Sequence, residues 1–153
     1  EVSFAIILAA VTRSLLIAII SIIVFSIIIE IHIYSIIFIF IFSFLGSFIL
    51  GALGFITGLW AEKFDHTATV TNFVITPLSF LSGVFYSIDR LPPFFLVISS
   101  FNPFFYVIDG FRYGFLGVSD GSIIFGIIYL TILALIIGFI AFFLYKKGYK
   151  IKS

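Results

Sequence analysis

Cysteine and methionine are both absent from this 153-residue chain, and only 10% of its residues are charged. Without cysteine there is no disulfide, no thiolate nucleophile and no cysteine-held metal. The chain opens on Glu1 instead of methionine, so it is expected to be a piece of a longer or processed protein. No basic n-region or small-residue cleavage site marks a signal peptide. The net charge of +1 forms no basic stripe, which argues against a nucleic-acid partner. G-x-x-x-x-G-K-[ST] loops, G-x-S-x-G elbows and H-E-x-x-H helices are missing too. No ATP site, catalytic residue, metal or cofactor is therefore expected in this chain.

What is present is apolar. Hydrophobic residues make up 63% of the chain and aromatics 20%, with mean hydropathy +1.37, whereas soluble domains carry roughly 25% charged residues. A water-soluble domain of this length could not hide so much apolar surface. The composition predicts an all-α, polytopic transmembrane bundle surrounded by membrane lipids.

A helix needs about 20 apolar residues to cross the hydrocarbon core. Uncharged runs occupy 14–29, 31–61, 66–88, 91–108 and 121–145. Four of them predict spans at about 13–31, 34–60, 68–87 and 122–145. Arg13 would snorkel to the interface at the start of the first, leaving no ionisable residue near the bilayer centre. That absence disfavours an ion-coupled carrier. The preceding "EVSFAIILAAVTRS" fits either the end of an earlier helix or an interfacial helix, and periodicity does not choose between them.

The remaining run lies within "PLSFLSGVFYSIDRLPPFFLVISSFNPFFYVIDGFRYGF", residues 77–115, which holds all four prolines. Pro92 and Pro93 suit a helix start but not its interior, and Asn102-Pro103 ends whatever helix precedes it. Lysine and arginine favour the cytoplasmic side. If this stretch does not cross, Arg13, Lys63, Lys146, Lys147, Lys150 and Lys152 share that side, opposite Arg90 and Arg112. If it crosses, the basic tail moves outside. An outer re-entrant hairpin between the last two spans, at about 91–116, is thus expected. The loop 61–67 and the tail would lie inside, and 89–93 and 119–121 outside. The hairpin would run from Leu91 and Pro92 around the Asn102-Pro103 turn to Asp109 and Arg112, which pair across one helix face. Its apolar tip, Phe101, Phe104 and Phe105, is a candidate outer gate. Irregular backbone at such depth must be buried in protein or line a cavity.

Ser43, Ser47, Gly51, Gly54 and Gly58 recur every three or four residues in the second span. A face so small allows close helix approach. Packing within the chain is the plain expectation, with a homodimer seam or a translocation groove as alternatives. Glu62, Lys63, Asp65 and His66 suit a solvated cytoplasmic loop better than a metal site. His32 falls on the opposite side from His66.

In combination these residues are recognisable. "GLWAEKFDH" followed by Pro77, Ser82-Gly83-Val84-Phe85, Leu91-Pro92, Asn102-Pro103 and Arg112, in that order, closely resembles the C-terminal half of ABC-2 type permeases. The resemblance covers essentially the whole chain. It implies spans three to six of a six-span subunit of the bacterial inner membrane. It also implies a second permease copy, as homodimer or pseudo-dimer, and separate ATPase subunits on the cytoplasmic side. Such complexes export drugs, lipids or cell-surface polysaccharides, and the ATPase partner hydrolyses ATP. The family's coupling helix lies before its third span, so residues before Arg13 would be its end at most. A non-transporting membrane scaffold or assembly subunit is the alternative from another class.

Overall fold

In lipid, every backbone N–H and C=O must find a partner within the protein. The chain meets that demand with helices. The computed structural model describes residues 2–61, 63–84 and 92–147. Expectations for Glu62, Phe85, Asp89, Arg90, Leu91, Lys150 and Lys152 lie outside the described residues.

Helix α1 is Val2–Ile28, α2 is Ile36–Trp60 and α7 is Ile123–Lys146. These three are long and apolar enough to cross a membrane. Between them lie α3 (Phe64–Val70), a π-helical turn (Thr71–Ile75), α4 (Thr76–Phe80), α5 (Pro93–Ser100) and α6 (Pro103–Leu116). The pair α5–α6 is bent by 82° and adds a fourth candidate span if taken as one broken helix. The same bend suits a re-entrant turn. The protein is an all-helical, multi-pass membrane protein.

Helices α2 and α7 coincide closely with the expected runs at 34–60 and 122–145. Two other elements differ. Helix α1 begins at Val2 and passes through Arg13 without a break, so the N-terminal stretch belongs to the same helix as the expected first span. Arginine is a good helix former, and charge alone does not end a helix. The expected span at 68–87 is a rod from Phe64 to Phe80, in pieces of seven, five and five residues. At 1.5 Å per residue it is about 25 Å long.

The π-helical turn has a local cause. Pro77 has no N–H to give and would crowd an ordinary helical turn. One widened turn immediately before it absorbs the misfit. Here the Thr76 hydroxyl donates to the Thr71 carbonyl five residues back at 2.9 Å.

Helix α2 is the hub of the bundle, packing on α1, α6 and α7. A Cβ on Gly126 of α7 would lie 3.6 Å from Phe42, and one on Gly138 3.3 Å from Phe48. The Phe55 and Tyr145 rings meet 6.2 Å apart. The contacts advance together along both helices, so α2 and α7 run parallel. Lys63 and Lys146 therefore emerge at the same end of the bundle. Helix α6 runs the other way, with Val107 against Gly46, Phe42 against Gly110 and Ile39 against Gly114.

Lipid is as apolar as the helix faces, so association rests on close packing instead of water exclusion. Glycine supplies it. A Cβ on Gly110 would sit 2.4 Å from the fully buried Phe42 ring, and one on Gly114 2.5 Å from Ile39. This G-x-x-x-G pair on α6 seats α2. At the far end of α6 the Ser35 N–H donates to the Gly114 carbonyl at 2.9 Å. Tyr113 fits edge-on against Tyr34 and Phe38.

Candidate functional site

Two adjoining cavities, of about 320 and 580 Å³, share Ser14, Ser47 and Leu50. Together they form one groove along the α1–α2 seam. Its lower part is floored by Gly51, Gly54 and Gly58, and its upper part is closed by Pro103, Phe104, Val107 and Phe111 of α6. From Ser43 to Gly58 the groove follows α2 for about 22 Å.

The small face of α2 thus divides. Gly51 is a packing residue, since its Cβ would lie 3.2 Å from that of Ala10. For Gly54 and Gly58, added Cβ atoms would meet nothing within 4 Å among the described residues. Among the described residues no neighbouring helix packs on these two, which favours the groove or dimer-seam alternatives over packing within the chain. Both glycines face open space because α1 leans on α2 through Ile7 and Ala10, against Gly51, and leaves the flank uncovered. Ser47 also lines the groove.

The α5–α6 turn borders the upper part of the groove. Asn102 is almost fully buried and caps α6, its Oδ1 accepting from the Phe104 N–H at 3.0 Å. Its Nδ2 donates to the Leu78 carbonyl at 2.6 Å. The Ser99 hydroxyl donates to the Leu81 carbonyl at 2.9 Å, the Tyr106 hydroxyl to Ser100 at 2.8 Å and the Tyr129 hydroxyl to Phe101 at 2.7 Å. Side chains thus satisfy the carbonyls that both helix breaks expose, which permits such backbone inside a membrane.

The predicted tip residues do not act as one cluster. Phe101 is 73% exposed, Phe104 lines the groove and Phe105 belongs to the buried core. No ring contact joins Phe101 to Phe104 among the described residues. Pro92 precedes α5 and Pro103 is the first residue of α6, as the prolines predict.

Beyond the turn, Asp109 and Arg112 do face each other, at 4.0 Å. Each has a stronger engagement elsewhere. Arg112 pairs with Asp120 at 2.9 Å and donates to the Gly83 carbonyl at 2.5 Å. The buried Asp109 accepts the N–H groups of Asp120 and Gly121 at 2.7 and 3.0 Å. The pair therefore ties three segments: α6, the loop before α7 and the turn after α4. That turn needs Gly83, whose φ of +77° suits glycine. The Ser82 hydroxyl, fully buried, donates to the Ser79 carbonyl. Sequence reasoning missed Asp120. Its signal was a second carboxylate in the short loop before α7, meaningful only once α6 and α7 are antiparallel.

At the opposite end, Lys63 and Asp65 are exposed. Asp65 lies in the first turn of α3, where its charge suits the helix dipole. Trp60 and His66 pack 5.3 Å apart at this junction.

Arg13 is where the structure departs most from expectation. Ser14 and Ser47 line the same cavities, and Ser47 lies about 16 Å from one end of α2 and 20 Å from the other. The neighbouring Arg13 is thus level with the middle of the hub helix α2.

Two comparisons with known proteins bear on this arrangement. The family description "ABC-2 type transporter" matches residues 1–116. The inner membrane transport permeases YadH of Escherichia coli K12, of E. coli O157:H7 and of Shigella flexneri are each 37% identical over 102 residues. That alignment covers 65% of this chain and 39% of each relative, so the chain spans well under half of the curated relatives it matches. No solved structure matches it.

Proposed function

The chain belongs to the ABC-2 type transporter family, and on that premise we propose that it forms part of the translocation pathway of an ATP-driven exporter. The groove between α1 and α2 carries this reading: it runs from the Lys63 end of the bundle past the α5–α6 turn, which stands level with the middle of α2. Small residues leave room for a substrate, and α6 walls the upper part. A separate ATPase subunit binds at the Lys63 end and hydrolyses ATP, since no phosphate-binding loop occurs in the sequence. A second permease copy completes the pathway, and a lipid-like, glycan or drug-like molecule passes through. The preference of lysine for the cytoplasmic side, applied to Lys63, Lys146 and Lys147, supports a cytoplasmic location for their common end in a bacterial inner membrane. In that orientation α5–α6 is a re-entrant hairpin entered from outside, whose Phe104 gates the groove.

The test is uptake into inverted inner-membrane vesicles carrying the full-length permease and its ATPase partner. Candidate lipids, glycans and drugs are offered with and without ATP. Accumulation should require ATP and vanish when the partner's phosphate-loop lysine is changed to alanine. Uptake that persists with that variant but collapses with an uncoupler would instead indicate an ion-driven carrier. No ATP-dependent uptake of any substrate class, with the complex intact, would favour the scaffold alternative.

A further inference from the structure

The rod from Phe64 to Phe80 stands apart from the bundle. None of its described side chains is buried, so close packing does little to hold it. At its lower end the backbone is extended at Ala61 and Lys63, a link on which α3 can turn against α2.

Its upper end is tied. A helix leaves its last carbonyls without partners of its own. Near this end, two hydroxyls answer carbonyls close by in the chain: Ser79 donates to Ile75 at 2.9 Å, and Ser82 donates to Ser79. The carbonyls of Leu78, Leu81 and Gly83 are answered from further away. Asn102, Ser99 and Arg112 reach them across 24, 18 and 29 residues of chain. All three donors belong to α5, α6 or the turn between them. Asn102 is double-ended. Its Nδ2 holds the Leu78 carbonyl while its Oδ1 holds the Phe104 N–H, and Phe104 lines the groove. One buried amide thus stands between the top of the rod and the groove wall.

We infer that Asn102 is a positioning residue that couples the rod to the hairpin, so that the two move as one body. Leu78 lies about 21 Å along the rod from Phe64, so the rod reaches from the Lys63 end to the turn. A tilt at its lower link then displaces Phe104, and the groove wall with it. Hydrogen bonds suit this joint, because lipid offers no water to take over the groups they would free. The inference rests on the pathway reading for what Phe104 controls. It adds how a push at the proposed ATPase end reaches that wall.

The test uses the full-length permease with its ATPase partner in lipid nanodiscs. Asn102→Ser keeps a capping oxygen for α6 but is too short to reach Leu78. Spin labels at Thr67→Cys and Phe101→Cys, both exposed positions, report the separation of rod and turn by electron paramagnetic resonance. That separation should be narrowly distributed and keep its value when a non-hydrolysable ATP analogue is added. It should broaden in Asn102→Ser. Substrate moved per ATP hydrolysed should fall about five-fold in that variant, the worth of one net hydrogen bond, while ATP hydrolysis persists.

An unchanged distribution in Asn102→Ser, or a wild-type separation that shifts with the analogue, would overturn the single body. Hydrolysis and uptake falling together would make Asn102 a structural residue only, which is equally fatal. Should Asn102→Ser fail to fold, Ser99→Ala, which removes the neighbouring tie alone, takes its place under the same outcomes. A wild type without ATP-driven uptake would sink the pathway reading, and the spin-label distances would still decide whether rod and hairpin are joined.

Discussion

Glycines of the same type have opposite jobs in this protein, and single methyl groups separate them. Gly110 has no room for a Cβ against Phe42, whereas Gly54 opens on the groove. Gly110→Ala should push α6 from α2 and cost on the order of 1–3 kcal/mol through overpacking. Gly54→Leu should leave thermal stability near wild type yet obstruct the groove and lower flux. Melting temperature in detergent and vesicle uptake, measured on both variants, check the contrast. A Gly54→Leu protein that melts many degrees lower would mean that another helix covers this face.

Spacing identified the small face of α2 but could not say which of its glycines touch a neighbour. The more consequential pair, Gly110 and Gly114, was visible in the sequence as G-x-x-x-G.

Among the elements, α5 and α6 were the most legible, because proline fixes where a helix starts and the preceding asparagine caps it. Helices α2 and α7 were legible for a plainer reason, their long uncharged runs. Helix α1 was misjudged because Arg13 looked like a boundary, and nothing local tells an interfacial arginine from one held at depth. The π-helical turn was also missed. Pro77 announces a break, and only tertiary support decides that the helix continues.

The tie among Arg112, Asp120 and the Gly83 carbonyl belongs to this scale, since it joins three elements. Arg112→Ala should remove it and destabilise the bundle by about 1.5–3 kcal/mol, the range for hydrogen bonds to charged groups. Asp120→Asn keeps an acceptor and should cost less. Chemical or thermal melts of the two variants should fall in that order, and a reversed order would show that the Gly83 carbonyl is unimportant to Arg112.

For the whole molecule, the parallel course of α2 and α7 is the strongest constraint, because it places Lys63 and Lys147 at one end whatever α5–α6 does. In this cysteine-free protein, single cysteines at Lys63, Ser119 and Lys147 can be probed with an impermeant maleimide on intact cells. Ser119→Cys should label from outside, and the other two only after permeabilisation. Labelling of Lys147→Cys from outside with Lys63→Cys protected would break both the parallel arrangement and the proposed orientation.

The half-height turn has an electrical consequence. In the orientation proposed above, a hydrated groove would reach from the cytoplasmic side past the middle of α2, and less than half of the roughly 30 Å hydrocarbon thickness would insulate the two aqueous phases there. A membrane voltage would then drop mainly across that thinner layer, steepening the local field. An anionic substrate at the middle of the groove would still have at least half of the voltage ahead of it, about 1.2 kcal/mol or more per elementary charge at 100 mV. With the cytoplasm negative, that field pushes the anion outward. The resting potential of the cell would therefore assist the last stage of export, and collapsing it should slow the release of charged substrates more than of neutral ones.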